Sequence, residues 1–263
     1  MVKIIALGSS FAAGPGIPPL ASRQALRSTI NYPPLIASRL GASLVDLTVS
    51  GATLLNLLNT PQGMFGSLPP QVEGVTSDAD LVTITGGGND LGYIGGMMRD
   101  SFRTTMLGSM VAWMMLPILQ PDTVPKEDEV VERFRKVIDA VRERAPKARI
   151  LLVEYITILG SDVRPGVNVP LNEEQVAHYR EIAQTVQRIY ARAAEGKERC
   201  EVIAVADLSE AHGVGSEDPW CTGHGWGGFV GGEMSYHPNK RGMEAVADII
   251  HVKLKKDGLA GND

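Results

Sequence analysis

The sequence predicts an α/β fold, a single-domain three-layer α/β/α sandwich around a central, mostly parallel five-stranded sheet. Three observations point there. Short β-branched runs end in turn residues, each is followed by a stretch of helical periodicity, and the runs are almost continuously apolar, as strands covered on both faces must be. A chain of 263 residues suits one domain with a full hydrophobic core, so residues 1–263 are read as a single unit.

The elements follow in order. Val2 to Leu7 reads as the first strand. Pro33 and Pro34 ahead of Leu35 to Leu40, with Gly41 beyond, place proline at a helix start and glycine past its end. Ser43 to Thr48, Leu81 to Thr85, Ile150 to Tyr155 and Val202 to Ala206 supply the remaining strands. Glu129 to Arg144 sets Val130, Phe134, Val137, Ile138 and Val141 on one stripe, with Glu132, Arg133, Arg135, Lys136 and Asp139 on the solvent side. Asn172 caps a helix reaching Ala194, with Val176, Tyr179, Ile182, Val186 and Ile189 inward and Glu173 and Glu174 in its first turn. A last helix follows Pro238, and the polar tail from Lys255 to Asp263 is expected to fray.

Composition narrows the partners. With 44% apolar and 21% charged residues the chain is neither disordered nor fibrous. A formal charge of -5 without a cluster of Lys and Arg argues against nucleic acid and for a small-molecule partner. Cys200 and Cys221 match no zinc or redox spacing and read as free thiols, a disulfide between them being the alternative. The longest apolar stretch, Thr104 to Leu119, is broken by Gly108, Ser109 and Pro117, so no transmembrane span is expected. The apolar run after Lys3 is too short for a secretory signal, which predicts a cytoplasmic protein, secretion staying open if the sequence has been trimmed. Nothing in the chain sets its oligomeric state.

The chemistry sits where strands end. Gly8-Ser9-Ser10-Phe11-Ala12-Ala13-Gly14 places Ser10 at the carboxyl edge of the sheet, where open α/β folds bind ligands. Taken alone, this segment reads more simply as a phosphate-cradling turn or a plain connection, although it meets the spacing of neither common phosphate motif. The next two strand ends carry Ser50-Gly51-Ala52 and Gly86-Gly87-Gly88-Asn89-Asp90. A tetrahedral intermediate needs donors aimed at its oxyanion, and the N–H of Gly51 and the amide of Asn89 can both serve. Gly51 reads equally as a routine turn residue, and Asn89 has an Asx-turn role as its alternative. Ser235-Tyr236-His237-Pro238-Asn239 then holds His237 just ahead of the last helix, whereas His178, His212, His224 and His251 stand in no such motif.

These four blocks, in this order, resemble the SGNH (GDSL-like) serine hydrolase superfamily over residues 3 to 250. Arg27 to Pro33, Ser77 to Asp90 and Glu233 to Asn239 look most similar to bacterial and fungal esterases and lipases of that group. The resemblance implies a carboxylic ester hydrolase with Ser10 as nucleophile and His237 as general base. Gly51 and Asn89 would form the oxyanion hole beside the N–H of Ser10, and no metal or cofactor would be needed. Two departures stand out. Ser9 occupies the place of an acidic residue in the usual Gly-Asp-Ser-Leu block, and Met234 that of the Asp three residues before the histidine. A backbone carbonyl can hold the imidazole in the right tautomer. The expectation is therefore a Ser–His dyad oriented by the Met234 carbonyl, with Glu233 as the rival orienter.

The substrate is less legible. Residues 91–120 are rich in methionine, with Met97, Met98, Met106, Met110, Met114 and Met115 beside Trp113. Such side chains adapt to irregular apolar shapes. The segment reads as a lid or acyl-pocket insertion lined by Met110, Trp113 and Met114, favouring aliphatic or lipid-like esters, or equally as an ordinary core helix. Three rival functions share the same sheet edge: an acyltransferase or carbohydrate deacetylase, a catalytically weak binding module, and a flavodoxin-like nucleotide or flavin binder.

Overall fold

The computed structural model describes residues 1–63, 67–104, 108–110, 123–225, 227 and 232–258. Five strands form one sheet, all parallel: β1 (Lys3–Gly8), β4 (Ser43–Asp46), β5 (Leu81–Thr85), β6 (Arg149–Val153) and β7 (Cys200–Ile203), in the order β4-β1-β5-β6-β7. The pairing Ile4↔Leu81, Leu81↔Arg149 and Ile150↔Cys200 fixes a common register. Ile4, Ile5, Leu7, Val82, Ile84, Leu151 and Leu152 are fully buried, which is why these strands read as continuous apolar runs. A small antiparallel pair, β2 (Leu20–Ser22) with β3 (Arg27–Ser28), lies outside the sheet.

Helices cover both faces. On one, α2 (Tyr32–Leu40) packs against the C-terminal helix α8 (Lys240–Lys256). On the other, α3 (Leu54–Leu58), α5 (Glu127–Arg144) and α6 (Glu173–Ala194) pack in succession, and α4 (Tyr93–Phe102) leans on α6. The ends behave as capping chemistry dictates. Gly41 closes α2 in the left-handed region (φ 55), and Asn172 opens α6 with a capping box completed by Gln175. Asn239 caps α8 by accepting the N–H of Gly242 at 2.8 Å.

Three strands stop short of the ends read from the sequence. The second strand stops at Asp46, because its carboxylate takes the N–H and hydroxyl of Thr48 at 3.0 and 2.6 Å and turns the chain. The fourth stops at Val153, short of Tyr155. The fifth runs Cys200–Ile203, and Val205 and Ala206 bury themselves in the helical turn α7 (Val205–Leu208) instead of extending it. Among the described residues no helix is long and apolar enough to cross a membrane.

Candidate active site

Ser10 opens the four-residue helical turn α1 (Ser10–Ala13) directly past β1 and is only 5% exposed. The two residues before it, Gly8 and Ser9, are held from three sides. The carboxamide of Gln71 straddles Gly8, accepting its N–H at 2.7 Å and donating to its carbonyl at 3.0 Å. The N–H of Ser9 donates to the Thr85 carbonyl at 2.8 Å, and the Ser9 hydroxyl shares a 2.9 Å hydrogen bond with the Tyr155 hydroxyl. That phenol also accepts the N–H of Gly88 at 3.2 Å. A Cβ at position 88 would come within 2.8 Å of the ring, so only glycine admits this approach. Burial pushes the Tyr155 phenol up to about 12, keeping it neutral as a bridge.

The second and third loops are tied together beside it. Gly51 turns in the left-handed region (φ 82) at the exposed rim. The Ser50 N–H donates to the Ala25 carbonyl at 2.9 Å, and its own carbonyl accepts the Gln62 amide at 2.8 Å. Asn89 donates through Nδ2 to the Ala52 carbonyl at 2.9 Å, spending one of its two amide N–H bonds on the neighbouring loop. Asp90 is fully buried; it accepts the Leu54 N–H at 2.9 Å and pairs with Arg133 at 3.1 Å. Its role is to pin α3 and α5 to this loop.

The fourth block meets the first through its rings: the Phe11 ring centroid, one residue past Ser10, lies 5.5 Å from that of His237. His237 is buried at 4% exposure, and burial pushes its imidazole down to about 4. Its Nδ1 lies 2.8 Å from the Ser235 carbonyl oxygen. A carbonyl can only accept, so Nδ1 carries the proton and the lone pair of the neutral ring sits on Nε2. This corrects the expected orienter: the Met234 carbonyl is instead taken by the Thr222 hydroxyl at 2.5 Å. Glu233 is exposed, and His237 takes its partner from the main chain instead. Thr222 further straps the block by donating its N–H to the His237 carbonyl at 2.9 Å and accepting the Tyr236 N–H at 3.1 Å.

A cavity of about 350 Å³ opens beside the third loop, between α4 and α6, with Leu91, Gly92, Gly96, Tyr179 and Ile182 among its walls. Of the methionines named from the sequence, Met97 and Met98 are buried in the core and Met110 is 55% exposed. Met106, Trp113, Met114 and Met115 lie outside the described residues. Both cysteines are free thiols. Among the described residues no group of three His, Cys, Asp or Glu side chains is placed to hold a metal ion.

The model of the GDSL-like lipase/acylhydrolase family matches residues 6–245, from the strand before Ser10 into the helix after His237. The chain belongs to that family. As a GDSL-like lipase/acylhydrolase it is a carboxylic ester hydrolase. It is 28% identical over 258 residues to lipase 2 of Streptomyces coelicolor, covering 93% of this chain and 83% of the relative. Its fold is similar to that of phospholipase A1 from Streptomyces albidoflavus NA297, at a TM-score of 0.71 and 22% identity over 97% of this chain and 99% of that one. An extracellular lipase from Streptomyces rimosus aligns with a TM-score of 0.68 and 22% identity, over 96% and 99% of the two chains.

Within this family member, the residues that sequence reasoning passed over are those that hold the frame. Gln71, Tyr155, Thr222 and the carbonyl of Ser235 bear on the site through contacts 12 to 146 positions apart for the side chains and two apart for the carbonyl. The one local signal was Gln71, a polar residue straight after Pro69-Pro70 that ends up 4% exposed.

Proposed function

We propose that the protein is a serine esterase that cleaves aliphatic acyl esters through an acyl-enzyme on Ser10, with His237 as general base in a Ser–His dyad anchored by the Ser235 carbonyl. The observation that carries this reading is the Nδ1 to Ser235 contact of 2.8 Å, on a ring lying beside the residue that follows Ser10. It leaves Nε2 as the basic atom of a buried imidazole.

Attack of Ser10 Oγ on the ester carbonyl forms the C–O bond of a tetrahedral intermediate, while the hydroxyl proton passes to His237 Nε2. The N–H groups of Ser10 and Gly51 and the remaining amide N–H of Asn89 receive the oxyanion. The Ser10 N–H lies in the first turn of α1 and so has no intrahelical acceptor. Collapse expels the alcohol, which takes the proton from Nε2. A water then attacks the acyl carbon while the same nitrogen takes its proton; collapse breaks the bond from the acyl carbon to Oγ, Nε2 returns the proton to Oγ, and the acid leaves. The imidazolium formed at each step is stabilised by one carbonyl dipole and not by a carboxylate, which the dyad tolerates because it also fixes the tautomer.

The preference for aliphatic acyl groups rests on the methionine-rich character of residues 91–120, with the cavity beside Leu91 and Gly92, whose walls combine Ile182 and the Tyr179 ring with Arg99, His178 and Thr185, as a neighbouring candidate for the acyl chain. That cavity, at about 350 Å³, falls within the usual range of small-molecule sites. The test is hydrolysis of p-nitrophenyl acetate, butyrate, octanoate and palmitate by the parent and Ser10→Ala, with fluorophosphonate labelling of both. Turnover and labelling lost together in Ser10→Ala, with an optimum beyond acetate, are expected. A folded parent that neither turns over nor labels would replace this reading with that of a binding protein.

A further inference from the structure

Tyr236 is one of three described non-glycine residues with positive φ, at 59°, a conformation in which its Cβ crowds the following carbonyl. It is also the single residue between the carbonyl that accepts from His237 and His237 itself. The Ser235 oxygen belongs to the peptide plane joining residues 235 and 236, so the direction of that oxygen relative to the imidazole is set by the Tyr236 dihedrals. Something must hold a bulky residue in this conformation. The Tyr236 ring is fully buried, and its hydroxyl makes a 2.7 Å hydrogen bond with the hydroxyl of Ser101, itself fully buried.

We propose that Tyr236 is a positioning residue: its left-handed backbone, locked by the bond from its hydroxyl to Ser101, aims the Ser235 carbonyl at His237 Nδ1 and so replaces the missing carboxylate of the triad. The inference rests on His237 being the general base. Ser101 is the penultimate residue of α4, which starts four residues after Asn89. The same helix therefore ties the loop of the oxyanion donor to the peptide that orients the base. Ser235 contributes its main chain alone, because its hydroxyl is occupied on both sides by Gly225, accepting the N–H at 3.0 Å and donating to the carbonyl at 2.8 Å. Thr222 holds the flanking carbonyls of Met234 and His237, leaving the Ser235 oxygen to the imidazole.

The experiment uses the full chain and three variants, Tyr236→Phe, Ser101→Ala and their combination. Each loses the hydroxyl pair while keeping the ring or the helix. Turnover of p-nitrophenyl butyrate is measured with melting temperature, and the His237 tautomer is read from ¹⁵N resonances of histidine-labelled protein. Each single variant and the double should lose about 10- to 100-fold in kcat with KM unchanged, the double no worse than the worse single, as for two ends of one bond. The His237 Nδ1–H tautomer should fall in the same variants. Unchanged kcat and tautomer in Ser101→Ala and Tyr236→Phe would overturn the proposal, and so would a kcat loss that follows melting temperature while the tautomer stays fixed. Failure of the serine esterase reading is seen separately, as turnover and labelling that persist in Ser10→Ala.

Discussion

A histidine that donates to a carbonyl has no negative charge beside it, so burial governs its affinity for a proton. In His237 burial is the larger effect and the Ser235 carbonyl offsets only part of it, which leaves the imidazole at about 4. The base must be neutral to act. The acid limb of kcat/KM should therefore fall near pH 4, below the ordinary histidine range, and activity at pH 5.5 should match that at pH 7; a limb at 6.5 would show that the ring is solvated in the working enzyme. The same depression acts on stability. The unfolded chain binds this proton below its ordinary 6.5 and the native state resists it until about 4, so stability is lost as pH falls through that window. Ser10, Gly51, Asn89 and His237 were legible as candidates because each stands next to a strand end or helix start marked by Gly, Pro or a change of period. The orienting carbonyl was not: every residue has one, and which of Met234 and Ser235 faces the ring depends on a backbone dihedral at Tyr236 that residue type gives no reason to expect.

Strands and helices were legible to the extent that their own residues decide them. The runs at β1 and β5, and the stripes of α5 and α6, carry their burial in their periodicity, and the caps at Gly41, Asn172 and Asn239 mark their ends. The boundaries that moved were decided by side chains elsewhere. Glu154, one residue past β6, is the clearest example. It accepts the Ala206 N–H at 3.3 Å, joining the end of β6 to α7, in place of the strand pairing expected at 205 and 206. Burial pushes this carboxyl up to about 7, with Asp207 adding to the shift and the Ala206 N–H opposing it. A raised native value means stability is present below the unfolded 4.5 and lost as pH rises through 7. Glu154→Gln should therefore raise the melting temperature at pH 8 by a few degrees and leave it unchanged at pH 4.5. An equal shift at both pH values would place the effect in packing instead of ionisation.

Across the whole molecule the sheet order β4-β1-β5-β6-β7 puts the second strand of the sheet on one side of β1 and the third on the other, so the loops bearing Ser10 and Asn89 flank the crevice between β1 and β5. Ligands in open parallel sheets bind at such a reversal. That Ser10 and Asn89 stand at strand ends was legible; the strand order was not, because an apolar run does not record which neighbours it pairs with, and right-handed crossovers only narrow the choice. What the sequence could not convey is the span of the frame, since Ser9–Tyr155 and Ser101–Tyr236 join positions 146 and 135 residues apart.

The packing of α8 against α2 has a consequence in time. On the proposed roles of Ser10 and His237, a ribosome releases the serine long before the group that would activate it, and the growing chain should stay unreactive toward esters until α8 docks on α2. Reactivity toward a fluorophosphonate should accordingly be the final signal to return on refolding, after secondary structure by circular dichroism.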